Sequence, residues 1–356
     1  MTSRHVKTRN VLWSIALLAV SLGIAFGLGE GLLRWLGYAG APESYIGNLR
    51  EVDDPILNWR FEPYSTVQDG QVTYKYNSKG FRDSEHEFGR APGITRLVVM
   101  GDSVTEGAGV KSEEMFSFRL QRLLGSGYEV INLGMSGLNT PQESHLLEVE
   151  GLRYEPNVVV LNFVLNDCAF FTEFNAAAKF EQGKDSTIGI LGGISIDPRV
   201  KRLIKSSALI YFVKARVEHL VGLLKNKREG NYYTKLWNSS KCQEHLTSGF
   251  DQLAELQRQK QFQVHVVIWP LLVEFKSYEY CWIHSKIYQE ATQRGFDVHD
   301  LLGAYRPVSY RELQVTAEDN VHPNGLGHWL AAESYLAWRL RKNVSDSTEQ
   351  NSCNAL

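Results

Sequence analysis

The amino-acid sequence predicts an α/β fold, in which a parallel sheet of about five strands is covered by helices on both faces and preceded by one transmembrane helix. Three observations predict it. Short apolar runs alternate with helix-forming stretches across residues 93–343. A long uncharged run lies near the N-terminus, from Val11 to Gly29. The polar residues suited to chemistry follow predicted strands, and parallel sheets gather reactive groups at the carboxyl ends of their strands.

The uncharged run is long enough to cross a membrane, since about 20 apolar residues span the hydrocarbon core. Basic residues are more frequent before the run than just after it: Arg4, Lys7 and Arg9 against Arg34. This bias predicts a single-pass inner-membrane protein, with residues 1–10 in the cytoplasm, an anchor over 11–33 and the rest in the periplasm. Two alternatives stay open: a signal peptide cleaved near Ala39-Gly40-Ala41, and a buried core helix.

Residues 34–92 are rich in Gly, Pro, Asp and Asn and show one short alternating stretch, from Val72 to Tyr76. That composition predicts an extended lead-in segment with one or two strands and without a core of its own.

The main domain is predicted over residues 93–343 and begins where strands and helices start to alternate. Ser112 opens a helix, because it is an N-cap residue followed by two acids and an amphipathic pattern. The last helix runs from Leu326 to Leu340. The short apolar runs predict five strands: Arg96–Met100, Glu129–Leu133, Asn157–Val164, Phe262–Trp269 and Phe296–Leu301.

Residues 168–261 are too many for an ordinary crossover and predict a helical insertion, and residues 344–356 predict a flexible tail. Within the insertion, Pro198 to Lys227 has a helical pattern dense in Lys and Arg. It is interpreted either as a helix lying on anionic headgroups or glycans, or as one that packs on the sheet with its basic face in solvent. The aromatic residues of the insertion are suited to the core, to an acyl pocket or to a sugar platform: Phe170, Phe171, Phe174, Tyr232, Tyr233 and Trp237.

Composition excludes several function classes. The formal net charge of -2 offers no attraction for nucleic acid. The chain has no H-E-x-x-H cluster and no glycine-rich nucleotide loop, so we predict neither a metal nor a cofactor. The four cysteines contain no C-x-x-C pair. Either Cys242 and Cys281 form a disulfide, which an extracytoplasmic location permits, or the thiols are free and buried.

Gly101-Asp102-Ser103 follows the first predicted strand. A serine hydroxyl is a useful nucleophile only where a base takes its proton and donors await the oxyanion, and a sharp turn at a strand end can supply such a setting. A turn with a capping serine is the structural alternative.

Asp319 and His322 stand three positions apart, just before the last predicted helix. That spacing lets a loop fold the carboxylate onto one imidazole nitrogen and leaves the other nitrogen for a serine. His328 is the nearest rival base, and its position inside the helix indicates a packing or capping role.

Four motifs in order resemble the blocks of the SGNH (GDSL-like) serine hydrolases. They are the GDS of residues 101–103, NLGMSG of 132–137, LND of 165–167 and the D-x-x-H of 319–322. The stretch NSKGFR, residues 77–82, resembles a lead-in of membrane-anchored bacterial members. The first block reads GDSV, and Val164 stands where the family usually has glycine. The resemblance implies a flavodoxin-like three-layer α/β/α sandwich.

Carried over position by position, the resemblance implies that Ser103 is the nucleophile, His322 the general base and acid, and Asp319 its orienting carboxylate. The oxyanion donors would be the backbone N–H groups of Ser103 and Gly137 and the side-chain amide of Asn166, with Gly134 an alternative to Gly137. Asp102 and Asp167 would support them. Glycine suits such a donor because backbone can approach closely, and an amide donates without titrating.

The function expected is hydrolysis of an acyl ester, for example an O-acetyl ester, of a cell-envelope carbohydrate or lipid. One alternative is an O-acyltransferase that passes the acyl group to a sugar hydroxyl, because the acyl-enzyme is common to both reactions. A second is a catalytically idle envelope scaffold.

Overall fold

The computed structural model describes residues 2–38, 48–169, 207–210, 212–213, 216–217, 232–317 and 319–344. The chain divides into two compact units. The first comprises Met1–Glu43 and Lys179–Gly230, and the second comprises Ser44–Ala178 and Asn231–Leu356.

The first unit contains helix α1 (Thr2–Trp35). Within it, Ala16–Trp35 is apolar and long enough to cross a membrane, and it is the one such helix in the described part of the chain. Near its end, the Glu30 carboxylate accepts hydrogen bonds from the Ser207 hydroxyl and from the backbone N–H groups of Ala208 and Leu209. Most of the predicted basic helix over 198–227, and Phe170, Phe171 and Phe174, lie outside the described residues.

The second unit begins with two antiparallel strand pairs. Strands β1 (Leu49–Glu51) and β2 (Trp59–Phe61) pair with each other, as do β3 (Thr66–Asp69) and β4 (Val72–Lys75). Their inward residues, together with those just after β4, join the core of the unit: Trp59, Phe61, Tyr74, Tyr76 and Phe81.

The centre of the second unit is a parallel sheet in the order β6-β5-β7-β8-β9. Its strands are β5 (Thr95–Gly101), β6 (Tyr128–Asn132), β7 (Val158–Val164), β8 (Gln263–Trp269) and β9 (Asp297–Asp300). All five predicted strands are present within a residue or two, and the predicted fold is confirmed. Every residue of β7 is buried, as expected for a strand covered on both faces.

Helices cover both faces of this sheet. They are α2 (Ser103–Glu106), α3 (Phe116–Leu124), α4 (Thr140–Val149), α5 (Tyr232–Trp237), α6 (Ser240–Lys260), α7 (Cys281–Gln293), α8 (Leu302–Tyr305), α9 (Tyr310–Leu313) and α10 (Gly325–Val344). Helix α3 packs on α10, while α6 packs on α4 and α7. The helix predicted from Ser112 starts later, because residues 112–114 form a 3-10 turn and Met115 is extended before α3 begins.

The strand order determines where a site can form. The chain leaves β5 toward β6 on one side and later returns to β7 on the other, so β5 and β7 flank the point where the winding reverses. Gly101 and Asn162 are register partners there. In open parallel sheets this crevice, beyond the carboxyl ends of the strands, is the usual ligand site.

Candidate active site

Ser103 lies at the sharp turn that follows β5. Gly101 has a φ of 150°, and a Cβ there would meet the Thr105 hydroxyl oxygen at 2.2 Å and the Asn162 carbonyl oxygen at 2.7 Å. The Asp102 side chain caps α2 by accepting the Val104 N–H at 2.9 Å. Ser103 is thus the first residue of a tightly held turn, and 9% of its surface is exposed.

The structure brings Ser103, His322 and Asp319 into one chain of hydrogen bonds. The Ser103 hydroxyl lies 2.9 Å from Nε2 of His322, and Nδ1 of His322 lies 2.8 Å from Oδ2 of Asp319. Because a carboxylate can only accept, Nδ1 carries the proton and Nε2 is left to accept from the serine.

The Asp319 carboxylate is held by its own loop. Its Oδ1 accepts the N–H groups of Val321 and His322 at 3.0 and 2.9 Å. Burial raises the pKa of Asp319, but the hydrogen bonds from His322 and these amides outweigh it and leave the pKa below its ordinary value. Burial lowers the pKa of His322, yet Asp319, with the charges of Asp102 and Glu106, raises it above 6.5 overall.

Asn166 follows β7 and also reaches the nucleophile turn. Its side-chain amide donates to Oδ2 of Asp102 at 3.1 Å, and the Ser103 hydroxyl is 3.3 Å from that same oxygen. Asp167 turns inward, where its carboxylate accepts the Val164 N–H at 2.7 Å. Val164 itself is buried in the core, and the hydrogen bond from its N–H closes the turn that carries Asn166.

The loop after β6 distinguishes between the two glycines considered as backbone donors. The Gly134 N–H donates to the Asn132 side chain at 2.9 Å, and the N–H groups of residues 133, 135, 136 and 138 also have protein acceptors. Within the described part of the chain, the Gly137 N–H has no such acceptor, nor does that of Ser103. Gly137 has a φ of 79°, a conformation that favours glycine.

His328, the rival base, lies elsewhere. Its ring is buried and its Nδ1 accepts the Phe116 N–H at 3.2 Å. Burial lowers the pKa of His328 to about 3, so the ring is neutral and has the packing role expected from its place in α10.

One buried residue next to the nucleophile turn was not anticipated from the sequence. Glu106, one helical turn after Ser103, is fully buried and contacts the loop that precedes Gly137. A Glu in a turn carries no signal in the sequence that separates it from a surface residue. Tyr233 of α5, one of the aromatic residues suited to the core or to an acyl pocket, is buried, with its ring 5.7 Å from that of Tyr280, and burial raises the pKa of its phenol.

The cysteine pairing suggested by the sequence is wrong. Cys242 bonds to Cys168, with the two Cα atoms 4.7 Å apart, and not to Cys281. The bond joins the residue after Asn166-Asp167 to the first turn of α6. Sequence spacing does not reveal this pairing because it arises from the tertiary packing of α6 beside the end of β7.

Comparison with known proteins identifies the chain. The model of the GDSL-like lipase/acylhydrolase family matches residues 99–330. A search of curated proteins gives no match. Among solved structures, a two-domain esterase active on acetylated mannans aligns with a TM-score of 0.41 and 14% identity over 72% of this chain, which spans 51% of that esterase.

Two further solved structures align at a similar level. TesA gives a TM-score of 0.40 and 16% identity over 70% of this chain and 100% of its own. An acetylxylan esterase from Geobacillus stearothermophilus, solved as a catalytic mutant, gives 0.40 and 14% over 68% of this chain and 93% of its own. Because the family match covers more than half of the sequence and includes all four blocks, this chain belongs to the GDSL-like lipase/acylhydrolase family and is an SGNH-type ester hydrolase.

Proposed function

We propose that this protein is an extracytoplasmic serine esterase that cleaves an acyl ester of a cell-envelope carbohydrate or lipid through an acyl-enzyme on Ser103. The observation that carries the proposal is the hydrogen-bonded chain from Ser103 through His322 to Asp319. The backbone N–H groups of Ser103 and Gly137 have no acceptor among the described residues and are therefore free to donate to an oxyanion.

In the first half-reaction the Ser103 Oγ attacks the ester carbonyl carbon and its proton passes to Nε2 of His322. The carbonyl oxygen becomes an oxyanion, which the N–H groups of Ser103 and Gly137 and the Asn166 amide stabilise. The carbon–oxygen bond to the alcohol then breaks, and His322 returns the proton to the leaving alcohol. Asp319 stabilises the imidazolium in between.

In the second half-reaction a water molecule gives one proton to His322 and attacks the acyl carbon. The tetrahedral intermediate collapses, the bond to Ser103 Oγ breaks, and the proton returns to that oxygen. A sugar hydroxyl in place of water would make the same site an acyltransferase. The hydrogen bonds that join Ser103, His322 and Asp319 favour an active enzyme over a catalytically idle scaffold.

The reaction is tested by incubating the full-length protein in detergent with p-nitrophenyl acetate and with O-acetylated polysaccharide. We expect catalytic release of acetate into water. Acetyl transfer to added oligosaccharide without release of acetate would instead support the acyltransferase, and no turnover of any ester would contradict the proposal.

The location outside the cytoplasm is supported by the charge bias around α1 and by the Cys168–Cys242 disulfide, since disulfides persist in oxidising compartments. We expect alkaline phosphatase fused after Leu356 to be active in cells and to remain with the membrane fraction. A fusion active only in the cytoplasm contradicts this topology, and a shortened form released into the periplasm supports signal-peptide cleavage instead.

A further inference from the structure

Glu106 connects the turn that carries Ser103 to the loop that carries Gly137. It is the last residue of α2, and none of its surface is exposed. One carboxylate oxygen, Oε2, accepts both the backbone N–H of Ser136, at 3.0 Å, and the Ser136 hydroxyl. A buried carboxylate that accepts several donors is held in one position, because each lost hydrogen bond would leave a polar group without water.

Ser136 directly precedes Gly137, so the contact between Glu106 and Ser136 also affects Gly137. The peptide group that joins the two residues contains the Gly137 N–H, so fixing Ser136 at both its backbone and its side chain limits the direction of that N–H. The same loop lies against the nucleophile turn at Gly134, where a Cβ would meet the Glu106 nitrogen at 2.3 Å. The close backbone contact at Gly134 and the hydrogen bonds of the Glu106 carboxylate therefore together set the distance between the nucleophile turn and the loop that carries Gly137.

The lead-in segment supplies the third contact. The Tyr76 hydroxyl donates to Oε1 of Glu106 at 2.6 Å, and its ring stacks on Phe61. Arg82 donates to the carbonyl oxygens of Gly107 and Val110, just past α2. The lead-in thus contacts both the Glu106 carboxylate and the backbone just past α2.

We propose that Glu106 is a positioning residue for ester hydrolysis, fixing the Gly137 N–H relative to the Ser103 hydroxyl through Ser136, with Tyr76 of the lead-in holding the carboxylate in place. This inference rests on the proposed function, since it assumes that the oxyanion forms between these two segments. It assigns the lead-in segment a part in catalysis.

The test compares Ser136→Ala and Tyr76→Phe with two matched controls in the full-length protein. Ser144→Ala removes another buried serine hydroxyl that donates at 2.8 Å, to Gly249. Tyr335→Phe removes another buried tyrosine hydroxyl, 2.7 Å from His265. Each control costs one buried hydrogen bond away from the proposed site, so equal losses of thermal stability are expected in both sets.

For Ser136→Ala and Tyr76→Phe we expect kcat to fall about tenfold while KM changes less than about twofold, because the misplaced donor acts on the transition state. The Ki of a trifluoromethyl ketone, whose adduct with Ser103 carries an oxyanion, should rise by a similar factor. The controls should keep the wild-type kcat and Ki.

Glu106→Gln separates positioning from charge. The glutamine amide has the shape of the carboxylate, keeps an oxygen that accepts from Ser136, and offers an N–H to the Tyr76 oxygen. The kcat of Glu106→Gln at high pH should therefore stay within about threefold of the wild-type value. Because the charge of Glu106 also helps to raise the pKa of His322, Glu106→Gln should move the acid limb of the pH profile to lower pH, whereas Ser136→Ala and Tyr76→Phe should lower kcat without moving it.

Wild-type kcat and Ki in Ser136→Ala and Tyr76→Phe, with stability lowered as in the controls, would overturn the inference and leave the proposed esterase intact. If the wild-type protein hydrolyses no ester, the proposed esterase activity is wrong, and the positioning role of Glu106 falls with it. The two failures are therefore distinguished by the wild-type assay alone.

Discussion

Replacing His322 with alanine is expected to lower kcat on the order of 10⁶-fold, the loss typical of removing the base of a serine triad. The Ser103 hydroxyl would lose the imidazole that accepts its proton, 2.9 Å away, and would remain protonated at neutral pH. Steady-state hydrolysis of p-nitrophenyl acetate measures the effect. His145→Ala, which alters a histidine paired with Asp54 outside the site, serves as the control. More than a tenth of wild-type kcat in His322→Ala would place the base elsewhere.

The same histidine predicts the pH dependence. Its pKa is raised above 6.5, because Asp319 outweighs the opposite effect of burial. Catalysis needs the neutral ring, so kcat/KM should fall as the pH drops through a midpoint above 6.5. Asp319→Asn should shift that midpoint down, since it removes the charge that favours the imidazolium. A wild-type midpoint below 6.5 would contradict this role of Asp319.

Replacing Asn166 with alanine is expected to lower kcat by about 10²- to 10³-fold with little change in KM, the usual loss for one oxyanion donor. The effect belongs to the transition state because the amide donates to charge that develops there. Asp102, which accepts one hydrogen of this amide, holds the group near Ser103.

Asn48→Ala is the matched control, since it removes an amide that donates to Ser65 in the lead-in. Circular dichroism and thermal melting verify folding of both variants. A folded Asn166→Ala with wild-type kcat would show that Asn166 is not an oxyanion donor. The N–H groups of Ser103 and Gly137 would then be the remaining donors.

The sheet was predictable because buried parallel strands are short apolar runs, and all five were found on that ground. Helix α4 was not, since its buried face includes polar residues such as Glu143 and Ser144, which blur the apolar period. The lead-in strands were only partly visible: they are three or four residues long, and they are stabilised by packing into the core.

The candidate site was predictable where a motif is local. Asp319 and His322 are close in sequence, and their contact follows from the loop that joins them. The resemblance implies Gly137 as the backbone donor with Gly134 as the alternative, but the residues alone do not separate the two, since both are glycines of one loop. Only the hydrogen-bond acceptors of the folded loop show that the Gly134 N–H is already used.

Glu106 shows the same limit of sequence reasoning. Next to a glycine in a turn, a glutamate is usually interpreted as a solvated side chain. Here the carboxylate is buried because Tyr76, from a segment 30 residues earlier, and Ser136, 30 residues later, supply its donors. Contacts of that range depend on the topology of the sheet and have no local pattern.

An acyl-enzyme on Ser103 requires a nucleophilic hydroxyl there, and covalent labelling detects it. Full-length protein in detergent is treated with a fluorophosphonate, digested with trypsin and analysed by mass spectrometry. The adduct should be on the peptide of residues 97–111, at Ser103, and Ser103→Ala should remain unlabelled. An adduct at another residue, or equal labelling of folded Ser103→Ala, would show that Ser103 is not the nucleophile.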